Sequence, residues 1–276
     1  MTRTALVTGA NQGIGFAIVA ELADRLDPED LILLTGRDPA RVAAAAAAVE
    51  GKARVEGRVL DVTDTAAVAE LAKELGPTDI VISNAIGPLT PGRPQTEEID
   101  NFVAVANGGT HAVLRSFAPT LPDGGRLLVI ASSLGTLGQL PPHLHDVFEN
   151  KTLDEVAAVV EEWRRSVHNG TAAARGWPEW VNIPSKVAQV AAVRAVTRPR
   201  RDRDLAYGTL IAAVCPGLVD TRASRPWFAD FSRALTPAQS AKPIVDLVLG
   251  PLNPSTYGEL VRFGAVLPWH SATLVS

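Results

Sequence analysis

Apolar residues recur along this chain in two alternating rhythms. Short, nearly unbroken runs occupy Thr4 to Val7, Leu31 to Thr35, Arg54 to Leu60, Asp79 to Ser83, Arg126 to Ile130 and Thr209 to Val214. Each has the length of a strand, and Leu260 to Phe263 reads as a final one. Between them lie stretches with apolar positions three and four apart. The first, Phe16 to Leu26, places Phe16, Ile18, Val19, Leu22 and Leu26 on a helical face. Pro39 to Val49 is an Ala-rich helix, and Glu97 to Phe117 a long one. Asp64 to Leu75 has Asp64 as its N-cap and Gly76-Pro77 as its stop. Val187 to Val196 is helical, and Thr236 to Leu249 opens with Thr236 as N-cap and Pro237 at the first helical position. Strands apolar on both faces belong to a parallel sheet covered by helices on each side. The pattern therefore predicts an α/β fold, a doubly wound parallel sheet with its ligand beyond the carboxyl ends of the strands.

One stretch breaks the alternation. Gln139 to Trp180 separates the fifth strand from the next core helix. Within it Thr152 to His168 is amphipathic, with Leu153, Val156, Val159, Val160 and Trp163 on one side and a capping box at Thr152 and Glu155. Residues 141–176 are expected to form a helical insertion over the mouth of the site, too short to bury a core of its own. Residues 1–276 are then a single dinucleotide-binding domain.

Composition narrows the function. An apolar fraction of 46% and a charged fraction of 20% suit a full globular core. A net charge of −4 offers no basic field for nucleic acid or an anionic membrane. The densest charge run, Arg198 to Asp204, mixes signs with a proline and reads as a solvated loop. Cys215 is the sole cysteine, so no intrachain disulfide forms and a reducing compartment is expected. No leader and no apolar run long enough to span a bilayer is read, and a cytoplasmic protein is expected.

The chemistry begins at Thr8-Gly9-Ala10-Asn11-Gln12-Gly13-Ile14-Gly15, between the first strand and the first helix. Glycine permits the sharp turn, and its missing Cβ lets a pyrophosphate approach. The following helix presents free N–H groups and the positive end of its dipole to that anion. The alternative is a turn serving packing alone. At the end of the second strand the chain reads Thr35-Gly36-Arg37-Asp38, with Arg41 one turn on. An acid there would bind the ribose 2′-OH of NAD, whereas an arginine pairs with a 2′-phosphate. Arg37 favours NADP(H) over NAD(H), and Asp38 comes one residue late.

With these motifs in order, the chain resembles the short-chain dehydrogenase/reductases over essentially its whole length, which implies a Rossmann-type fold. The resemblance implies cofactor contacts from Gly9, Asn11, Gln12, Gly13, Ile14 and Gly15, and an adenine site at Asp61 and Val62. Asn84 ends the fourth strand in an Asn-Ala pair followed by Ile86 and Gly87, one residue looser than the family's turn. Asn107 matches the helix asparagine, Ser133 the catalytic serine and Lys186 the catalytic lysine, which also holds the ribose. Pro216, Gly217, Val219 and Thr221 match the segment that closes on the nicotinamide amide. Gly176-Trp177-Pro178, Thr236-Pro-Ala-Gln and Gly258-Glu-Leu-Val261 are similar to the monomeric carbonyl reductases, whose insertion covers a dimerisation face. A monomer is implied.

The family's proton-donating tyrosine, four residues before the lysine, is replaced by Asn182. An asparagine has no proton to give and can only hydrogen-bond. Pro184 restricts the helix carrying Lys186 to begin nearby, with Asn182 as N-cap, although Asn182 can equally contact a substrate oxygen. Tyr207 and Tyr257 read as packing residues. His143, His145, Asp146 and His168 in or beside the insertion, and His111 one turn from Asn107, are the titratable candidates, each read first as a lid or structural residue. Trp163, Trp177, Trp180, Trp227 and Phe228 flank the expected mouth, pointing to an apolar or aromatic small-molecule substrate. Three functions fit: a carbonyl reductase with an altered proton donor; a non-redox cyclase, ketal-forming enzyme, dehydratase or isomerase using the nucleotide structurally; and a non-catalytic nucleotide sensor.

Overall fold

The computed structural model describes residues 2–270. Its strands are β1 (Thr4–Val7), β2 (Leu31–Gly36), β3 (Arg54–Val59), β4 (Ile80–Ser83), β5 (Arg126–Ile130), β6 (Leu210–Val214), β7 (Leu260–Arg262) and β8 (Ala265–Leu267). They form one sheet in the order β3-β2-β1-β4-β5-β6-β7-β8. All neighbours are parallel except β7 and β8, which pair antiparallel. In register, Leu6 of β1 lies beside Leu33 of β2 and Val81 of β4. The chain runs outward from β1 to β3 and then returns to β4, so the order reverses between β1 and β4. Their carboxyl ends form the crevice where such sheets bind ligands. β8, which the apolar pattern missed, is a three-residue return along β7.

The central strands are apolar because both faces are covered: Ala5, Leu6 and Val7 of β1 and all five residues of β6 are buried. β3 corrects the reading of every strand as an apolar run. It is the sheet edge, and Arg54, Glu56, Gly57, Arg58 and Val59 are exposed.

The covering helices are α1 (Gly13–Arg25), α2 (Pro39–Ala48), α3 (Thr65–Leu75), α4 (Gln95–Val103), α5 (Gly109–Phe117), α6 (Leu153–His168), α7 (Asn182–Thr197), α8 (Arg201–Ala206) and α9 (Pro237–Leu249). α1 packs on α9, and α3 on α5. The expected long helix is divided into α4 and α5 by a π-helical turn over Ala104–Gly108. Local chemistry sets the helix starts. Asp64 accepts from the Ala67 N–H, and capping boxes at Thr152/Glu155 and Thr236/Gln239 open α6 and α9.

Four local readings change. α7 starts at Asn182 rather than Val187, because Pro184 falls within the first turn, where its missing N–H is harmless. Asn182 is inside that helix, Val181 is the N-cap, and no side chain caps it. The run Arg198 to Asp204 is a 3-10 turn followed by α8, not a loop; Asp204 is buried, held by Arg200 at 3.0 Å and the Tyr257 hydroxyl at 2.6 Å. Tyr257 packs as expected, but Tyr207 is 55% exposed. α6, the helix of the expected insertion, lies against α4 and α7.

Candidate active site

The turn between β1 and α1 is built by three glycines with different jobs. Gly9 and Gly13 hold positive φ angles of 61° and 60°, which favour glycine. A Cβ on Gly9 would lie 2.7 Å from the Ala85 Cα, and one on Gly15 2.8 Å from the Gly9 carbonyl oxygen. Those two permit close packing. A Cβ on Gly13 would meet only the Thr221 methyl, at 3.9 Å, so this glycine opens onto free space. Gln12, the N-cap of α1, makes no side-chain cap, so the helix leaves its first N–H groups to an external acceptor. Ile14 packs on the core. The turn is fastened to β4: the Thr8 hydroxyl accepts from the N–H groups of Asn84 and Ala85 at 2.9 and 3.1 Å. Asn84 Nδ2 donates to the carbonyls of Thr8 and Gly9 at 2.9 and 3.1 Å. This cradle fits a dinucleotide diphosphate.

Cations gather beside it. Asp38 caps α2 by accepting from the Arg41 N–H at 3.0 Å, which commits one carboxylate oxygen away from a ribose. Arg41, which the sequence set only in the background, donates to Gln12 Oε1 and, with the Asn11 amide oxygen turned toward it, to Asn11 at 3.1 Å. Arg37 is exposed, and its guanidinium has no partner among the described residues. Beyond β3, Asp61 accepts from Thr63 N and Oγ1 at 2.9 and 2.8 Å, while buried Val62 packs where a Cβ on Gly109 would be.

On the other side of the crevice, Asn107 sits in the π turn. Its Nδ2 donates to the Ser185 carbonyl at 3.0 Å, and its Oδ1 accepts from the Ser185 hydroxyl at 2.8 Å. Asn107 therefore fastens α7. Ser133, at the end of β5, is buried and its N–H donates to Cys215 Sγ at 3.1 Å. Lys186 is buried too. Its ammonium donates to Gln189 Oε1 at 2.7 Å and to the Ile130 carbonyl at 3.3 Å, pointing along α7 rather than back to Asn182. Burial pushes it down to about 8, partly opposed by Cys215. Gln189, which sequence reasoning missed, is locked by donating to the Ala106 carbonyl and the Thr110 hydroxyl, both at 2.9 Å. Its place three residues after Lys186 was the available signal. Asn182 Oδ1 is buried with no partner among the described residues.

The segment after β6 is anchored by Ser240 Oγ donating to the Pro216 carbonyl at 2.9 Å. Gly217 has φ of 84°, Val219 bridges to Leu235, and Thr221 faces Gly13. The three histidines in the insertion are engaged elsewhere, and Asp146 is exposed. His143 and His145 bond the Arg175 and Leu140 carbonyls, and His168 pairs with Asp100 at 2.8 Å. His111 is buried and held down to about 4 by that burial. Trp163 and Trp177 do not flank an opening: they pack with each other and Phe148 inside the insertion. Trp180 and Trp227 remain, stacked 5.5 Å apart. Among the described residues there is no cluster of histidine, cysteine and carboxylates that could hold a metal, and no helix long and apolar enough to cross a membrane.

Residues 3–141 match the family described as short chain dehydrogenase. The chain is 28% identical to carbonyl reductase (NADPH) 1 of Sus scrofa, over 97% of this chain and 94% of that protein. It is 29% identical to carbonyl reductase (NADPH) 3 of Mus musculus, over 97% and 99%. Among solved structures, salutaridine reductase from Papaver somniferum superposes with a TM-score of 0.79 at 22% identity, over 94% of this chain and 99% of that one.

Proposed function

The chain belongs to the short-chain dehydrogenases, and from that membership we propose that it is an NADPH-dependent reductase of a small-molecule carbonyl whose proton does not come from a tyrosine. The observation that carries the reading is the pairing of the open face at Gly13 with unengaged Arg37 and with Arg41 beside it. The two NADPH-named relatives support it. In this reading the first N–H groups of α1 hold the diphosphate, Arg37 and Arg41 the 2′-phosphate, and Asp61 and Val62 the adenine. Pro216, Gly217, Val219 and Thr221 lie over the nicotinamide end. When bound, the reduced nicotinamide supplies hydride to a carbonyl carbon. Ser133 orients the carbonyl oxygen, and Lys186 is the ionisable group that supplies the proton, since Asn182 has no ionisable one to give. Asn84 and Asn107 position the turn and α7.

Two measurements test this. In binding titrations, Arg37→Ala should weaken NADPH by about tenfold, some 1.4 kcal/mol, and leave NADH unchanged; equal loss for both would remove the 2′-phosphate role. Incubation with NADPH and a panel of quinones and diketones should consume nucleotide in step with product. Product formed without nicotinamide oxidation would establish instead the non-redox reading, a cyclase, dehydratase or isomerase. That second reading is favoured by one observation: Lys186 turns to Gln189 and leaves an unionisable side chain at the tyrosine's place.

A further inference from the structure

Trp180 and Trp227 join two parts of the site. Trp180 lies two residues before Asn182, at the entry to α7. Trp227 lies six residues after Thr221, in the segment whose beginning faces Gly13. Their rings stack with planes inclined by 30°. The two rings are not held alike. Gln95, at the start of α4, brackets Trp180 by donating to the Glu179 carbonyl and accepting from the Val181 N–H, both at 2.7 Å. Trp227 is anchored by one local bond, its N–H to the Ser224 carbonyl at 2.9 Å. Next to it Phe228 is exposed, as is Ile86 beyond β4. If either ring moves, it is Trp227.

In the entry segment of α7 two polar atoms are buried without partners among the described residues, Trp180 Nε1 and Asn182 Oδ1. One is a donor and the other an acceptor. His111 Nε2, Trp163 Nε1 and Arg262 Nε are unpaired as well, but they sit on α5, α6 and β7. A buried polar atom without a partner destabilises the state that holds it, so a ligand that supplies the partner recovers that loss.

We propose that Trp227 is a displaceable cover, and that an aromatic ring bearing a hydroxyl group takes its place against Trp180, with the hydroxyl donating to Asn182 Oδ1. An arene replaces the lost stacking face, which a saturated ring does not. A hydroxyl supplies the proton that Asn182 Oδ1 lacks, which an ether does not. The assignment rests on the proposed reductase reading only in calling this ligand a substrate.

Calorimetric titration of the full chain without nucleotide tests it, with 2-naphthol, 2-methoxynaphthalene and a decalinol as probes. 2-Naphthol should bind, the ether about tenfold more weakly, and the decalinol not measurably. Trp227→Ala should tighten 2-naphthol several-fold, because no ring has to be displaced, while Trp180→Leu should lose it. Asn182→Leu and the smaller Asn182→Ala should each erase the preference for naphthol over its ether without weakening the ether. Near-ultraviolet circular dichroism checks that each variant is folded. Weaker or unchanged binding by Trp227→Ala, or a preference that survives both Asn182 variants, overturns the proposal. Because nucleotide is absent, failure here leaves the NADPH result standing, and failure there leaves this one.

Discussion

His111 is a base stored where it cannot easily take a proton. It is 8% exposed on α5 and has Nε2 unpaired, and burial, with Arg115 adding to it and Asp154 opposing, holds it down to about 4 against an ordinary 6.5. Between those values the unfolded chain binds the extra proton and the folded one does not. Stability therefore rises with pH across that window and is lost on acidification. Against His111→Leu, the wild type should lose up to about 3 kcal/mol more between pH 7 and pH 4 in urea titrations; parallel losses would clear the imidazole. Lys186 is governed by the same burial. Its ammonium, held down to about 8, is protonated below that value and neutral above it. If it holds the proton for carbonyl reduction, kcat/KM should fall above about pH 8. Gln189→Leu removes the acceptor at 2.7 Å that favours the charged form, so the fall should move to lower pH. A profile unchanged by Gln189→Leu would make that glutamine purely structural.

Among the elements, α6 shows how local chemistry makes a helix independent of the sheet. The Thr152 N–H donates to Glu155 Oε2 at 2.7 Å and the Glu155 N–H to Thr152 Oγ1 at 3.3 Å. Thr152→Ala should cost about 1 kcal/mol in equilibrium unfolding; no loss would mean that packing of Val156, Val160 and Trp163 alone fixes the start. Such caps were legible in the sequence because their partners lie within one turn. The glycine turn was legible for the same reason, and so were the central strands, whose burial on both faces imposes apolar runs. What escaped depends on partners far along the chain or on rotamers. β3 carries Arg54, Glu56 and Arg58 in the sequence itself, but that it is the sheet edge follows only from the strand order. The direction of Lys186 follows from Gln189, Ala106 and Ile130 converging from three elements. The separation of Trp163 and Trp177 from Trp180 and Trp227 follows from how the insertion folds, and no spacing in the chain announces it. Asn182 at the expected position of a tyrosine was plain; that its carbonyl is left unpaired was not.

α6 also shapes what the molecule can do with copies of itself. It lies over α4 and α7 and is tied down by Arg164 to Asp100 and by Arg115 to Asp154. With those helices covered, light scattering should return a mass near 29.1 kDa, that of one chain; twice that value would mean that another face associates. The sheet has two ends, and they are unequal hazards. At one, three-residue β8 offers little backbone to pair with. At the other, six-residue β3 offers a full row, but its outer positions carry Arg54, Glu56 and Arg58. Those charges gain little for the folded chain itself. Their effect is on crowding and ageing: an incoming strand would have to bury them, so fibre growth from this edge is blocked at its first addition. Replacing the three with valine or threonine would leave the site untouched and open that edge to pairing with the strands of other copies.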